Sequence, residues 1–303
     1  MFYTILTILI FTITTTSCKR NRSYEDIPNE NDSLYEKVKE KVKTLKQCSI
    51  SDSILYVSTP NTKSQLLSRI AYLVSYNSET RIPNWVSWRL MKEHTDGPYS
   101  RAGVPYYDEN GTAIGIGNVS VETVKNGYFM DLECDEPRQN LSDWSRDYNM
   151  SHGHMCPAAD NRWDKSAMNQ SFLLTNMCPQ DEKLNSGAWQ KLEEKCRIWA
   201  NKYGSIYIVA GPIFFNPPSR FLGNIAIPDA FFKVVLCLEG EPKAIGFIYK
   251  NDSSRQSMNT VFCTVDFIED LTDFDFFGGI DDNIENNIES QCNIDDWKTN
   301  KKM

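Results

Sequence analysis

Four short blocks decide the fold of this chain: SHGHMCPAADNRW at 151–163, FLLTNMCPQ at 172–180, LNSGAWQKLEE at 184–194 and IYIVAGPIF at 206–214. In and just after the third block, apolar side chains recur every three or four residues, at Trp189, Leu192, Cys196 and Trp199. That spacing places them on one face of a helix, and Gly204 stands where a glycine often ends one. The sequence therefore predicts a helix from Asn185 to Tyr203.

Short apolar segments on both sides of this helix predict a sheet. Two of them flank a turn signal at Asn77-Ser78-Glu79 and predict a hairpin; they are Ile70–Ser75 and Trp85–Leu90. Four more have the length and composition of buried strands, namely Phe172–Thr175, Ile206–Val209, Phe231–Leu238 and Ala244–Tyr249. Together these segments predict a mixed sheet.

The chain has only three histidines, and two of them lie in one tetrapeptide, Ser151-His152-Gly153-His154. A single histidine is more often a core or surface residue than a catalyst, and an alternating pair can simply decorate a strand or loop. A zinc site is a weak alternative, because no third ligand stands at a familiar spacing. The histidine pair alone therefore does not indicate a catalytic site, and its interpretation depends on the blocks around it. The third histidine, His94, lies in a predicted turn and is assigned no role.

In their order and spacing, the four blocks resemble the DNA/RNA non-specific endonucleases with a ββα-metal site, a family that includes secreted bacterial nucleases and mitochondrial endonuclease G. Weaker similarity extends upstream through Tyr72–Leu90 and downstream through Ile225–Leu236. The resemblance implies an α+β fold with a central, mostly antiparallel sheet. It also implies a ββα-metal element built from the strand before Asn176, its turn and the predicted helix.

The resemblance also assigns roles to four residues. His154 matches the general base, Asn176 the asparagine of a Pro-Gln turn, Asn185 the metal ligand, and Glu193 the acid associated with the metal's water shell. Phosphodiester cleavage needs a water deprotonated near neutral pH, which a neutral imidazole can do, and neutralisation of phosphate charge by a divalent ion. We expect Mg²⁺, with Mn²⁺ as a substitute, because Mg²⁺ tolerates few protein ligands. Asn185 and Glu193 lie about 80° apart around an ideal helix, so both can flank one edge.

Two departures from the family pattern concern phosphate binding. Ser151 and His152 stand where the family has Asp-Arg, and Lys125 or Asn126 stands where it often has a second arginine. Lysine and histidine bind phosphate without the fixed fork of arginine. The expected substrate-binding residues are therefore His152, Lys125, Asn126 and Arg162. For Arg162, a surface position without a role in binding is an equally good alternative.

The expected reaction is sequence-nonspecific endonucleolytic hydrolysis of DNA and RNA, and the resemblance implies products with 5′-phosphates. The missing arginines keep a second hypothesis open, a catalytically weakened or inactive nucleic-acid-binding protein on the same scaffold. A third is a phosphodiesterase that acts on another phosphorylated substrate. A homodimer also stays open.

The N-terminus predicts export. Ile5–Ile13 is an apolar run too short for a stable membrane anchor but suited to the core of a signal peptide. It leads to Thr15-Thr16-Ser17-Cys18, which resembles a lipoprotein cleavage site, so a lipidated Cys18 would anchor the protein to a membrane. We predict a signal peptide at 1–18, a tether and short helix at 19–60, a nuclease domain at 61–290 and a tail at 291–303. The protein is then periplasmic or a membrane-anchored lipoprotein, with simple cleavage and secretion as the alternative.

The net charge of −8 is unusual for a protein that binds a polyanion, but it is unevenly distributed. Between Thr264 and Trp297 there are eleven acidic residues and no lysine or arginine, so the rest of the chain carries +3. We predict a solvated acidic segment that aids solubility, in preference to an autoinhibitory mimic of nucleic acid.

Besides Cys18 the chain has eight cysteines, and no pair has the CxxC spacing of a structural zinc site. Disulfides are compatible with export. Buried free thiols, which behave as small apolar side chains, fit the sequence at least as well.

Overall fold

The computed structural model describes residues 52–99, 105–107, 113–116, 127–144 and 149–298. Its strands in chain order are β1 Gln65–Ser68, β2 Leu73–Asn77, β3 Ile82–Met91, β4 Pro105–Tyr107, β5 Ala113–Ile116, β6 Met150–His154, β7 Met177–Asp181, β8 Ser205–Ile213, β9 Phe221–Leu222, β10 Ile225–Ala226, β11 Ala230–Cys237, β12 Lys243–Lys250 and β13 Phe262–Cys263. The helices are α1 Lys165–Gln170, α2 Gln190–Tyr203, α3 Met258–Val261, α4 Val265–Thr272 and α5 Asp282–Glu289. Short 3-10 turns lie at Ser53–Leu55, Lys92–His94, Leu141–Trp144, Ala158–Asp160, Leu174–Asn176 and Ile294–Trp297, and a π-helical turn lies at Leu184–Trp189.

Seven strands form the central sheet, in the order β1-β2-β3-β8-β11-β12-β13, and every neighbouring pair is antiparallel. The sheet is therefore antiparallel, as the family resemblance implied, and not mixed. The predicted hairpin is confirmed as β2 and β3, and three of the predicted strands are confirmed as β8, β11 and β12. With helices on both sides of this sheet, the predicted α+β class is confirmed.

The strand predicted at Phe172–Thr175 is wrong. There the N–H of Phe172 bonds to the carbonyl of Asn169 at 3.1 Å and the N–H of Leu173 to that of Gln170 at 3.1 Å, so the chain turns after α1, and Leu173 forms an isolated bridge with Phe129 in place of a strand. A 3-10 turn over Leu174–Asn176 follows. The strand of the ββα element is consequently β7, which begins after Asn176.

Apolar side chains of the central strands point alternately to the two faces of the sheet, and both faces are buried. In β11, Phe231 and Val235 pack with the cluster that contains α2, whereas Phe232 and Val234 pack with the cluster that contains α4 and α5. We call these the α2 face and the α4 face. Each such apolar side chain stabilises the fold by about 1.5–3 kcal/mol when fully buried, so two covered faces give the site a rigid base.

The predicted helix is confirmed with a shorter regular part, because its first residues, Leu184–Trp189, form the π-helical turn and α2 itself begins at Gln190. The side chains of Leu192, Cys196 and Trp199 are buried on the α2 face. Gly204 ends the helix with φ of 95°, and its N–H bonds to the carbonyl of Ala200 at 2.8 Å. A left-handed φ of this kind favours glycine, which has no Cβ.

The acidic segment is not merely solvated, and that prediction is wrong. Val265, Ile268 and Ile288 are buried on the α4 face, and Trp297 is 1% exposed on the α2 face. The indole N–H of Trp199 donates to the carbonyl of Trp297 at 2.7 Å, which ties the segment to α2. The amphipathic spacing of its few apolar residues explains why a strongly acidic segment still packs. The domain boundaries at residues 18, 60 and 290 stay predictions.

The seven cysteines within the described ranges are all free thiols, and five of them are buried. Burial raises the pKa of several of them, Cys134 and Cys196 to about 12. They therefore act as apolar packing groups. Among the described residues, no helix has the length and apolar character needed to cross a membrane. The signal segment, Cys18, Lys125 and Asn126 lie outside the described residues.

Candidate active site

The two clustered histidines lie on β6, which pairs antiparallel with β7 so that His154 faces Met177 and His152 faces Pro179. Because side chains alternate along a strand, both imidazoles point to the same side of this ribbon. Gly153 between them is buried, and a Cβ at that position would lie 2.5 Å from Oε1 of Gln180. Only glycine lets β6 and β7 approach this closely, so it fixes the distance between the histidines and the turn that follows β7.

His154 is half-buried and held from two sides. Its ring meets that of Phe172 edge to face, with the ring centres 5.2 Å apart. Its carbonyl accepts a hydrogen bond from the indole N–H of Trp189 at 3.3 Å, so the π-helical turn is joined directly to the end of β6. A neutral imidazole positioned in this way can accept a proton from water.

Asn176 lies behind His154, completely buried. Its Oδ1 accepts from the N–H of Cys156 at 2.9 Å, and its Nδ2 donates to the carbonyls of Cys156 and Ser171 at 2.9 and 2.8 Å. These bonds use the whole amide, and they clamp the backbone two residues after His154. The structure thus places the predicted catalytic Asn176 in the scaffold of the site.

Asn185 lies in the π-helical turn, half-buried, and its side chain makes no hydrogen bond to any residue within the described ranges. The turn is started by Asp181, whose Oδ1 accepts from the N–H groups of Lys183 and Leu184 at 2.9 and 3.2 Å. π-helical turns occur frequently at functional sites because they redirect side chains. The amide oxygen of Asn185 is therefore available for a ligand.

The sequence analysis missed Asn251, which holds the end of β7 in place. Its Oδ1 accepts from the N–H of Asp181 at 2.8 Å, and its Nδ2 donates to the carbonyls of Pro179 and Pro228 at 3.1 and 2.9 Å. Ser253 donates to Oδ2 of Asp181 at 2.8 Å. The contacts to Pro179 and Asp181 span about seventy residues of sequence, and no local pattern predicts them.

Glu193 lies on α2, half-buried, within a group of four charged side chains that we call the mixed-charge cluster: Asp160, Glu193, Arg197 and Lys233. Burial raises the pKa of the Glu193 carboxyl to about 7, while the nearby cation Lys233 partly offsets that rise. Arg197 donates to Oδ1 of Asp160 at 2.9 Å, and Trp88 donates to Oδ2 at 3.1 Å. The cluster thus places two carboxyl groups beside two cations.

Lys233 is the least expected member of this cluster, because it is completely buried in the central strand β11. Its Nζ lies 4.3 Å from the ring centre of Trp189 and 5.4 Å from that of Trp88, and it has no hydrogen-bond partner among the described residues. An ammonium group over indole rings is stabilised by their π electrons. A sequence signal for it existed: it is the single charged residue in the strand AFFKVVLC.

His152 has aromatic rings on both faces. The ring centre of Trp144 lies 3.7 Å away and that of Tyr128 lies 4.0 Å away, both nearly parallel to the imidazole. Such stacks stabilise a side chain by packing. This arrangement fits the alternative in which His152 packs locally, because aromatic rings cover both faces of the imidazole.

Arg162 is exposed in the loop after the histidine block. Its Nε donates to the carbonyl of Tyr99 at 3.3 Å, and its backbone N–H donates to the carbonyl of His94 at 3.1 Å. The ring of His94 stacks on Trp163, with the ring centres 4.7 Å apart. His94 is therefore a packing residue of this loop, and burial lowers its pKa.

Comparisons with known proteins match most of the chain. The family model of the DNA/RNA non-specific endonucleases matches residues 50–283. Nuclease C1 of Cunninghamella echinulata var. echinulata is 30% identical over 243 residues, which are 76% of this chain and 87% of that protein. The mitochondrial nuclease EXOG of Homo sapiens is 26% identical over 246 residues, which are 75% of this chain and 60% of that protein.

Among solved structures, that of an EndoG/EndoGI complex resembles the fold with a TM-score of 0.60 at 20% identity, and the match covers 74% of this chain and 90% of that one. This likeness confirms the fold. The family match covers most of the chain and includes β6, β7 and α2. The chain therefore belongs to the DNA/RNA non-specific endonucleases and is an endonuclease.

Proposed function

We propose that this endonuclease hydrolyses DNA and RNA with one divalent metal ion, Mg²⁺ in the first place, and with His154 as its general base. The observation that carries the proposal is the bond between Trp189 and His154, which joins the turn of Asn185 to the strand of the histidine. The base and the metal ligand therefore belong to one rigid unit.

The residues present fit a magnesium ion. Asn185 offers a neutral amide oxygen that no described side chain or backbone group occupies, and Mg²⁺ usually keeps several waters instead of taking many protein ligands. To Glu193 on the following helix we assign the role of accepting hydrogen bonds from such waters, which fixes their orientation. Mn²⁺ also prefers oxygen ligands and is expected to substitute.

The chain's own residues then account for the proton transfer. His154 accepts a proton from the attacking water, the water oxygen bonds to phosphorus, and the bond from phosphorus to the leaving 3′ oxygen breaks while that oxygen takes a proton from a solvent water. A bound metal ion supplies charge neutralisation at the phosphate and leaving oxygens. Asn176 keeps the backbone after His154 fixed, and the Arg197–Asp160 pair and Lys233 fix the electrostatic surroundings of Glu193.

The direct test is incubation of the purified protein with plasmid DNA and with RNA, in Mg²⁺, in Mn²⁺ and in EDTA. We expect degradation of both substrates with either metal and none in EDTA. Asn185→Ala should weaken the response to Mg²⁺, whereas Asn201→Ala, which changes an exposed asparagine on the following helix α2, should not. Equal cleavage in EDTA would remove the metal from the proposal.

Binding without cleavage under all these conditions would favour a catalytically weakened or inactive protein on the same scaffold. Exposed Arg162 is the described residue from which we expect a contact to the substrate backbone, and a phosphate contact from His152 is the competing hypothesis to its packing role. Lys125 and Asn126 stay proposed contacts outside the described residues.

We also propose export, with residues 1–17 removed and Cys18 lipidated as the new N-terminal residue. The support is the apolar segment that ends at Ser17-Cys18. Fractionation of cells that produce the full chain, followed by mass spectrometry of the mature N-terminus, tests this. A protein found only in the soluble fraction with an unmodified N-terminus contradicts the lipid anchor.

A further inference from the structure

A second carboxylate cluster lies far from the histidine ribbon in the fold, between α4 and α5 on the opposite side of the central sheet. Asp266 and Glu269 are three residues apart on α4, and Glu289 is the last residue of α5. Each of them offers one carboxylate oxygen, and these oxygens lie within 4.8 Å of one another. We call Asp266, Glu269 and Glu289 the acidic triad.

Glu289 is the unusual member of the acidic triad. Its side chain is 4% exposed, and its Oε1 is buried without a hydrogen-bond partner among the described residues. Glu285, one turn earlier on α5, also has a buried Oε1 without such a partner. Buried carboxylates are ordinarily paired with donors, cations or metal ions, because their desolvation is otherwise strongly unfavourable. The burial of Glu289 therefore calls for a partner that the described residues do not supply.

The charged groups around Glu289 make its burial more unfavourable still. Burial together with the neighbouring carboxylates Glu269, Glu285 and Asp266 raises its pKa to about 9. Burial raises the pKa of Glu269 to about 7, and the bond that Oε1 of Glu269 accepts from the N–H of Phe276 offsets only part of that rise. Residues 264–297 contain no lysine or arginine. Either protons or an added cation must therefore compensate the charge.

We propose that the acidic triad binds a single Ca²⁺ ion that links α4 to α5. Calcium takes oxygen ligands at about 2.3–2.6 Å in flexible geometry, so two of its ligands can lie almost 5 Å apart. Magnesium requires about 2.0–2.1 Å and a near-ideal octahedron, and it usually keeps several waters, so a site of three protein carboxylates suits calcium better. Asp266 and Glu269 are half-buried, which leaves room for waters to complete the coordination.

The ion would act on the packing of the C-terminal segment. Both helices already bury apolar residues on the α4 face, Val265 and Ile268 from α4 and Ile288 from α5. The chain between them bonds to the N-terminal part of the described chain, because Ser58 and Asp275 exchange two backbone hydrogen bonds of 3.0 and 3.1 Å. A cation at the triad therefore links α4 to α5. The segment that connects these two helices is also bonded, through Asp275, to Ser58 before β1.

The test is thermal unfolding of the purified protein at pH 8 in EDTA, in Mg²⁺ and in Ca²⁺. Calcium sites of modest affinity dissociate at about 0.1–1 mM, so 10 mM Ca²⁺ should raise the Tm by about 3 °C or more. The same rise is expected in Asn185→Ala, which separates the triad from the proposed catalytic metal site. Mg²⁺ should raise the Tm of that variant much less.

Glu289→Gln should remove the Ca²⁺ response, and Asp266→Asn serves the same purpose if Glu289→Gln does not fold. The matched control is Asp270→Asn on the exposed side of α4, which removes the same charge and should keep the full response. An equal Ca²⁺ response in Glu289→Gln and in the wild type overturns the proposal. So does the absence of any Ca²⁺ response in Asn185→Ala, because the triad is then held by protons alone.

Discussion

Two groups of buried carboxyls lie on opposite sides of one sheet, and they differ in the charge of their neighbours. In the mixed-charge cluster on the α2 face, Glu193 and Asp160 have Arg197 and Lys233 beside them. In the acidic triad, Glu269 and Glu289 have only further carboxylates as charged neighbours. The first group carries its compensating charge within the fold. The second has no cation among its charged neighbours within the described ranges and must take its compensation from solvent, as protons or as a bound cation.

The largest effect on the cleavage rate is expected from a change to the proposed general base. His154→Ala should reduce cleavage by at least about a hundredfold, because a positioned general base typically contributes that much. Initial rates on plasmid DNA measure it, with the unfolding midpoint and DNA binding as controls that should stay close to the wild type. A variant with near wild-type turnover takes His154 out of the mechanism.

A smaller but more specific effect is expected from Lys233→Met, which removes a cation of the mixed-charge cluster and keeps the volume of the side chain. The pKa of Glu193 is already raised to about 7 by burial, and Lys233 is the strongest influence that lowers it. Without this cation the pKa rises further, so Glu193 is neutral over a wider range. We expect the rate to fall about tenfold near neutral pH and to recover at alkaline pH.

The matched control is Lys243→Met. Lys243 also places its Nζ over aromatic rings, 4.2 Å from the ring centre of Tyr203, but it is absent from the charged groups that influence Glu193. Its pH profile should keep the acid limb of the wild type. If the acid limbs of both variants and the wild type coincide, Lys233 has only a packing role.

On the α4 face, Glu289→Gln removes a charge from the acidic triad and should stabilise the metal-free protein. The pKa of Glu289 is raised from its ordinary value of 4.5 to about 9, so its stabilising contribution is complete below pH 4.5 and is lost as the pH rises through 9. Glu289→Gln mimics the neutral form. In EDTA at pH 9 its Tm should exceed that of the wild type by about 2 °C or more, and the difference should vanish near pH 5. A variant that is less stable at every pH contradicts this charge argument.

The smallest effect is expected from His152→Phe, because a phenyl ring can keep the stack between Trp144 and Tyr128. The rate should remain near that of the wild type, with the same alkaline limb. The competing hypothesis, in which a protonated His152 binds phosphate, predicts the opposite: His152→Arg should extend the plateau to alkaline pH, and His152→Phe should lower the rate throughout. Coinciding alkaline limbs exclude the phosphate role.

Local sequence patterns predicted the helices and strands whose structure is determined by residues that are close together in the sequence. The spacing of Trp189, Leu192 and Trp199 specifies α2, and the apolar runs of β8, β11 and β12 specify buried strands. Phe172–Thr175 has the same apolar character, but its backbone turns back onto the end of α1. A short apolar run alone does not distinguish these two outcomes.

The parts of the site that escaped prediction are contacts between distant segments. Asn251 reaches Asp181 across seventy positions, and the two helices of the acidic triad are brought together only by folding. The enclosure of His152 by Trp144 and Tyr128 is of the same kind. Lys233 differs, because one lysine in a strand that is otherwise apolar is visible in the sequence and indicates a buried charge with a partner.

The hydrogen bond from Trp199 to the carbonyl of Trp297 ties the end of the described chain to the helix that carries Glu193. The match to the family model ends at residue 283, fourteen positions earlier. A stop codon placed between these points would delete nothing from the matched region. It would nevertheless leave a buried indole N–H of Trp199 without its acceptor and empty the volume that Trp297 fills beside it. Truncated alleles of this gene should therefore lose nuclease function even though every proposed catalytic residue is retained.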